Sequence, residues 1–480
     1  SMTEIEHYDI VVFGGGKGGK TLAMDQASEG RRVALVEAGM IGGSCINIAC
    51  IPTKALVRSA QLVHSARQTE ALGLAQAGPI RLDMGAVAAR TAEVVAGMVA
   101  LTYAAFTASG LDLVLGWGQF TAPRVIEVAT ATGPRRITGD RIYLDLGTRA
   151  VIPDIPGLHE AGPLTHVEAL KLEVLPTRLL VIGGGYVGME LAQAFRHLGS
   201  EVVVIETGKQ LAAREDADVA QAIGDLFKQG SIELALESRI AHVSGQSGTS
   251  VAVHLEDGRT FSGSHVLVAT GRTPMTGGIG LDIAGVELTE RGFVRVDQAL
   301  QTSAPGIWAI GEVAGSPMFT HISLDDYRVA KSGITGGART TAGRLVPYAV
   351  FIDPEFARVG LSETEALKAG IPYRLAKMPL DAVPRARTLG ERTGFMKALV
   401  AVEDDRILGF AMLGAQAGEV MTIVQMAMLG GLPCTALRDG ILTHPTMAEG
   451  LGMLFANVQP AKSMGLDAVP VKRARVKHAA

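Results

Sequence analysis

Cys45 and Cys50 are two of only three cysteines in 480 residues, and four residues separate them. Two thiols this close in a cysteine-poor chain suit dithiol–disulfide cycling. As isolated residues they would read as small buried hydrophobes. A zinc site would want four ligands, and no further histidine or cysteine cluster is adjacent. Their place favours redox chemistry, because they follow a strand, glycine turn, helix and strand. That unit runs from Tyr8 to Phe13, through Gly14-x-Gly16-x-x-Gly19 and a helical stretch from Leu22 to Ser28, to Arg32–Glu37. The first glycine permits a tight turn, the second lets backbone approach a pyrophosphate, and the third lets helix pack on strand. Helix N-terminal amides then meet the phosphates. Glu37, closing the second strand, is placed to accept from ribose hydroxyls. Cys434, alone in an apolar helical region, reads as core.

The same residues also spell a phosphate loop, since Gly14 to Thr21 satisfies G-x-x-x-x-G-K-T. In that reading Lys20 reaches terminal phosphates and Thr21 holds magnesium. A second unit decides against it. Leu179–Ile182, Gly183-x-Gly185-x-x-Gly188, a helix from Met189 to Leu198 and Glu201–Glu206 repeat the dinucleotide grammar without GKT. Lys20 and Thr21 therefore read as ordinary first-turn residues near cofactor phosphates. Glu206 leans the second site towards NADH, because a carboxylate accepts from a 2′-hydroxyl whereas a 2′-phosphate wants arginine. Lys209 and Arg214 nearby keep NADPH open.

These loops need a large α/β scaffold, and the composition supplies one. Hydrophobic residues are 48% and charged residues 19%, which excludes global disorder. A formal charge of −4 gives no polyanion-binding surface, and aromatics at 5% give no stacking platform, so nucleic acid is not an expected partner. The 59 glycines exceed the average usage of about 7% and cluster beside apolar runs, as cofactor turns do. Three cysteines exclude a disulfide scaffold. Glu4, Glu6 and Asp9 stand where a signal peptide would be basic. No apolar run reaches the roughly 18–20 residues of a span; the longest candidate, Met421 to Cys434, reads as a buried helix. The expectation is a soluble, cytoplasmic protein with no membrane partner. Pro153 and Pro156 mark one hinge, Ala269 to Pro274 a second, and the chain changes character near Val346. The resulting domains are 1–152, 153–273, 274–345 (returning to the first), 346–460, and a basic tail, 461–480.

At this point the sequence resembles a family. GGSCINIACIPTK is similar to the redox-active disulfide motif of the class I flavoprotein disulfide reductases, which include dihydrolipoamide dehydrogenase, glutathione reductase and mercuric reductase. GGGYVGME, ATGRTP, IWAIGEVAG, DPEFARVGLSE and His444-Pro445-Thr446-Met447-Ala448-Glu449 follow in the family's order, over roughly residues 8–458. GKGGKTLA, FTHISLDDYRVAK and PRARTLGERTGFMK most resemble its mercuric-reductase-like, reactive-chlorine-resistance branch. The resemblance implies two Rossmann-like FAD- and NAD(P)-binding domains plus a C-terminal α+β interface domain, in a homodimer. It places FAD at Gly14, Gly16, Gly19, Glu37, Gly43, Ser44, Gly147, Gly311 and Glu312, and NADH or NADPH at Gly183, Gly185, Gly188, Glu206, Gly271 and Arg272. Tyr186 matches the aromatic gate over the flavin. Cys50 matches the thiol against the flavin, Cys45 the interchange thiol, Lys54 the lysine beside the flavin, and Glu190 its partner. His444 and Glu449 match a dyad that serves the other subunit's disulfide, an imidazole held by a carboxylate taking the thiol proton. Alone, such a histidine would read as a surface or capping residue. No bound metal is implied.

The chain departs from the family's pattern at Ala49, usually glycine, at Asp145-Leu146-Gly147, usually A-T-G, and at Glu312, usually aspartate. It carries neither the C-terminal cysteine pair nor the N-terminal metal-binding domain of mercuric reductase, which argues against that enzyme. The expected function is electron transfer from NAD(P)H through FAD and Cys45/Cys50 to a metal ion, an oxidant or a small-molecule disulfide. The alternatives are a dihydrolipoamide-dehydrogenase-type enzyme acting on a lipoyl carrier, and a non-catalytic flavin-binding protein.

Overall fold

The computed structural model describes residues 4–75 and 78–461; the tail expected at 461–480 lies, but for Ala461, outside the described residues. The chain divides into one unit through Val346 with Val350–Asp353, and a second comprising Pro347–Ala349 and the chain from Pro354.

In the first unit, the strand Ile5–Phe13 pairs in parallel with Val33–Glu37 on one side and Gly133–Leu144 on the other. Asp112–Leu115 extends the sheet beyond Val33–Glu37, and Val125–Thr130 and Trp117–Ala122 extend it antiparallel on the far side. The sheet is completed by Ile307–Ala309, which returns from 165 residues further along to pair with Gly133–Leu144. Ile10, Val11, Val12 and Phe13 are all buried, because both faces of the sheet are covered. Val11 and Phe13 join one cluster with Leu144 and Ile307; Ile10 and Val12 join another with Leu22 and Leu35. The period-2 alternation of side chains thus builds two cores.

A second, four-stranded parallel sheet has the order Ile232–Ala235, Glu201–Ile205, Arg178–Ile182, His265–Val268, with a separate antiparallel sheet of Ile240–Gln246, Ser250–Leu255 and Thr260–Gly263. The second unit holds a five-stranded sheet in which Phe356–Gly360, Ile407–Leu413, Phe395–Ala401 and Tyr373–Pro379 pair antiparallel.

Three expectations are corrected. The helices after the glycine loops are Lys17–Ser28 and Tyr186–Leu198, starting earlier than expected because the turn residues after Gly16 and Gly185 already take helical geometry. The Met421–Cys434 stretch is not one helix: Ala417–Leu429 ends at Gly430-Gly431, and Cys434 opens a new helix, Cys434–Asp439, after Pro433. Finally, the helix Met84–Ser109 is long and apolar enough, by length and composition, to cross a membrane. Arg90 and Glu93 interrupt the apolar run and concealed it. Asp83 caps this helix by accepting from Ala86 N at 2.9 Å, and Gly110 ends it at φ +78°. Its buried residues are Met84, Thr91, Thr102 and Phe106, while Leu101 and Tyr103 are exposed.

Candidate active site

The two glycine loops are built alike. Gly14 and Gly183 have φ of +103° and +114°, where L side chains are strained. A Cβ at either would also fall 2.2 Å from a carbonyl oxygen, that of Asp145 or Ala269. Each loop is then tied to the acid ending its second strand. Glu37 Oε2 accepts from Gly15 N at 2.9 Å, and Glu206 Oε2 from Gly184 N at 2.7 Å. The other oxygens accept from Gly39 N at 3.1 Å and Gly208 N at 2.7 Å. A Cβ on Gly19 or Gly188 would meet the backbone of Gly14 or Gly183, so helix and strand touch through glycine. Neither helix following a loop carries a side-chain bond at its N-cap, leaving first-turn N–H groups other than that of Gly19 for phosphate oxygens. A Cβ at Gly185 would meet nothing within 4 Å. Both loops therefore fit a dinucleotide.

The departures at Asp145 and Glu312 have partners of their own. Asp145 is buried, and its Oδ2 accepts from Gly19 N at 2.8 Å. Its carboxyl oxygens lie 2.6–2.9 Å from where a Cβ of Gly16, Gly19 or Gly311 would stand, so it fills the angle between the first loop and the Gly311 turn. Burial, with Asp326, Glu37 and Glu312 nearby, pushes its pKa up to about 7 against the pull of the Gly19 N–H. Glu312 accepts from Thr148 Oγ1 and lies 3.5 Å from Arg272 Nε, while Arg272 also donates to Thr148 Oγ1 at 2.7 Å. Gly311 N donates to Asp326 Oδ2 at 2.8 Å. Gly147 and Gly271 take φ of +71° and +137°, and neither has an atom within 4 Å of a would-be Cβ. Ala49 has φ −129°, outside the left-handed region that favours glycine.

The dithiol sits beside the first loop. A Cβ on Gly43 (φ +87°) would lie 2.8 Å from Gly16 Cα, so the chain entering Ser44 packs backbone on backbone against the glycine turn. Cys45 lies in the short helix Ser44–Asn47, and Cys50 is the first residue of the helix Cys50–Ala66, whose N-terminus favours a thiolate. The two cysteines are unbridged and each acts on the other's titration. Cys50 Sγ also lies 3.6 Å from Thr320 Oγ1. The neighbouring Cys45 thiol, then the Thr320 hydroxyl and the Lys54 charge, bring Cys50 down to about 6; the neighbouring Cys50 thiol and partial desolvation push Cys45 up. These contacts favour the negative charge of the dithiol at Cys50 over Cys45.

Lys54, one turn along, reaches Glu190 Oε2 at 2.8 Å and lies 4.8 Å from the Phe351 ring centroid. Glu190 Oε1 accepts from Phe351 N at 2.9 Å. Tyr186 donates to Glu215 Oε1 at 2.7 Å. In the second unit, His444 Nδ1 lies 2.9 Å from a Glu449 carboxyl oxygen, with His444 71% exposed and Glu449 13%. The sequence reading missed Thr320 and gave Lys20 no role. FTHISLDDYRVAK was noticed as a stretch but not as a thiol contact.

Two dinucleotide loops, one beside a dithiol, define a pyridine-nucleotide-linked redox α/β protein. The comparisons place it more closely. Residues 8–326 match the pyridine nucleotide-disulphide oxidoreductase family and residues 346–454 its dimerisation domain, so the chain belongs to that family. It is 36% identical to the "Probable pyridine nucleotide-disulfide oxidoreductase RclA" of Escherichia coli, over 94% of this chain and 99% of that one. It is 35% identical to a dihydrolipoyl dehydrogenase of Thermus scotoductus (92% and 96% covered) and 32% to a mercuric reductase of Bacillus cereus (92% and 70%). The solved "Cu(II) complex of HOCl-induced flavoprotein disulfide reductase RclA" from E. coli superposes with a TM-score of 0.87, covering 95% of this chain and all of that one. The protein is an FAD-dependent oxidoreductase with NAD(P)H as electron donor.

Proposed function

We propose that this enzyme sends electrons from NAD(P)H through the Cys45–Cys50 pair to thiophilic metal ions of the Cu(II) kind, two such ions taking one electron each as the dithiol closes to the disulfide. The observation that carries the reading is the inequality of the two thiols. Bound FAD supplies the two-electron link between nicotinamide and disulfide. Two electrons and one proton open the disulfide to one thiolate and one thiol. The contacts at Cys50 keep the negative charge there, beside Lys54, and leave the proton on Cys45, the sulfur that meets the acceptor. Gly14, Gly16, Gly19, Glu37, Gly43, Ser44, Gly147, Gly311 and Glu312 are assigned to FAD, Glu312 through its Thr148–Arg272 contacts. Gly183, Gly185, Gly188, Glu206, Gly271 and Arg272 are assigned to NAD(P)H, with Tyr186 as its gate. The chain acts as a homodimer, in which the partner subunit's His444, steadied by its Glu449, takes the Cys45 proton. The exposure of His444 and the match to a dimerisation domain support this. The Cu(II) complex of the E. coli relative supports a metal acceptor.

The test is an anaerobic NADH titration read by visible absorbance, followed by turnover with Cu(II) and with oxidised lipoamide. A long-wavelength thiolate-to-flavin band at two-electron reduction, with faster turnover on Cu(II), is expected. Bleaching without that band would uncouple the cysteines from the flavin and sink the reading. A second reading, lipoamide turnover, is favoured by the near-full-length likeness to a dihydrolipoyl dehydrogenase; faster turnover on lipoamide would select it.

A further inference from the structure

Lys20, the residue that made the first loop look like a triphosphate site, has a different address in the fold. It stands in the first turn of the helix Lys17–Ser28, its N–H donating to Gly16 O at 2.9 Å. Its side chain turns inward and is only 6% exposed. Nζ donates to Gly42 O at 3.1 Å. Gly42 and Gly43, at φ +93° and +87°, form the left-handed bend that delivers the chain to Ser44 and Cys45. The ammonium therefore ties the glycine loop to the approach of one particular thiol.

The charges around it are unequal. Burial and the like charge of Lys17 oppose its protonation, while Asp145 and Cys45 favour it. Among the described residues no carboxylate lies within ion-pair distance of its Nζ. Asp145 is itself held up to about 7 by burial and by Asp326, Glu37 and Glu312, so near neutral pH it is an incomplete counter-charge. The groups acting on Cys45 are Cys50, the Thr320 hydroxyl and Lys20, and of these Lys20 is the cation. Cys50 has Lys54 instead, whose field Glu190 partly cancels. Each sulfur thus has a lysine acting on it, and the one acting on Cys45 is buried, tied to Gly42 O and, among the described residues, in no ion pair with a carboxylate.

We propose that Lys20 is a positioning residue for the thiol chemistry: its buried ammonium fixes the Gly42 carbonyl and favours the thiolate form of Cys45 when the acceptor arrives. The balance is simple. After disulfide opening Cys45 holds the proton, which leaves for the dyad's imidazole, and the negative charge then developing on Cys45 Sγ is favoured by the Lys20 ammonium tied to Gly42, three residues before it. No phosphate contact is needed. The inference rests on the proposed role of Cys45 as the acceptor-facing thiol.

The experiment is alkylation by iodoacetamide of the holoenzyme reduced anaerobically with NADH, following the Cys45 peptide by mass spectrometry across pH, with FAD content measured alongside. In Lys20→Met the pH midpoint for Cys45 should rise by about one unit, a roughly tenfold slower alkylation at neutral pH, with FAD retained. Lys20→Gln, which keeps an amide donor for Gly42 O but no charge, should rise likewise, and it serves if the methionine variant fails to fold. Lys20→Arg should return the midpoint towards wild type. A wild-type midpoint in the glutamine variant overturns the proposal. So does loss of FAD with a wild-type midpoint once FAD is restored, which would assign the lysine to the cofactor phosphates. If Cys45 in the reduced wild type resists alkylation at every pH, the functional reading fails instead, so the two failures are distinguishable.

Discussion

Thr320 lies 270 residues from Cys50 in sequence, and its hydroxyl comes within 3.6 Å of the Cys50 sulfur. A hydroxyl donating to a thiolate stabilises the charged form, and so does the N-terminus of the helix that Cys50 opens. With Cys50 brought to about 6, the reduced enzyme carries its thiolate at neutral pH and loses it as pH falls through that value. Thr320→Val removes one of the donors. A charge-assisted hydrogen bond contributes about 1.5 kcal/mol, so the midpoint should rise by roughly one unit. Ultraviolet thiolate absorbance of the NADH-reduced enzyme, titrated between acid and neutral pH, checks this. An unmoved midpoint would leave the Cys45 thiol and Lys54 as the sufficient causes. The cysteines themselves were legible because their spacing is local. Thr320 was not, because nothing local to residue 320 reveals a thiol neighbour from the start of the chain.

At the scale of elements, each loop depends on an acid 22 residues after the amide it accepts from: Gly15 with Glu37, Gly184 with Glu206. Glu206 holds its own loop and, in the proposed reading, also faces the cofactor ribose. Glu206→Arg should raise the NADPH-to-NADH ratio of kcat/KM by about 10- to 100-fold, the range of one charged hydrogen bond. It should also lower Tm, because Gly184 and Gly208 lose their acceptor. An unchanged cofactor ratio would mean that residue 206 does not face the ribose. Asp145 is the other structural acid, bracing the first loop against the Gly311 turn. Its pKa is raised by folding, from 3.8 to about 7. Its contribution is accordingly full below the unfolded value and lost as pH rises towards and through 7, with an upper bound on the order of 4 kcal/mol. Asp145→Asn keeps an acceptor for Gly19 N and cannot ionise. The Tm advantage of this variant should grow between pH 4 and 7 and then level off; a gap constant with pH would show that Asp145 stays ionised throughout. Both dinucleotide units were readable from glycine spacing and a closing acid, because tight turns and close backbone approach leave no other residue type. The brace was not: Asp145 meets Gly19 across 126 residues, and sequence alone showed only an unusual residue at a cofactor turn. The break at Gly430–Pro433 and the long helix Met84–Ser109 were missed for the converse reason, since apolar content hid one boundary and two charges hid one element.

For the whole molecule, the question is which chain supplies the base. His444 is well exposed and held by the nearly buried Glu449, an arrangement that presents an imidazole outward from the second unit. In a two-fold dimer any surface of one subunit meets its counterpart reciprocally, so a dyad that serves the partner does so twice. Co-expressing Cys45→Ser with His444→Ala subunits separates the arrangements. Each variant alone lacks one half of every site and should be nearly inactive with a thiol-linked acceptor while still accepting electrons from NADH. If the dyad acts across the dimer, a mixed dimer regains one complete site, pairing the intact disulfide of the His444→Ala chain with the intact histidine of the Cys45→Ser chain. One complete site of two gives the mixed dimer roughly half the wild-type rate, or roughly a quarter for the unfractionated random mixture. If the dyad acts within its own chain, neither subunit of the mixed dimer has a complete site and nothing is restored. Differently tagged subunits purified in tandem make the mixed species the one assayed, and two-electron reduction by NADH confirms that its flavin is intact. Recovery would show that a complete active site needs two copies of this chain, and that the dimerisation domain contributes chemistry as well as contact.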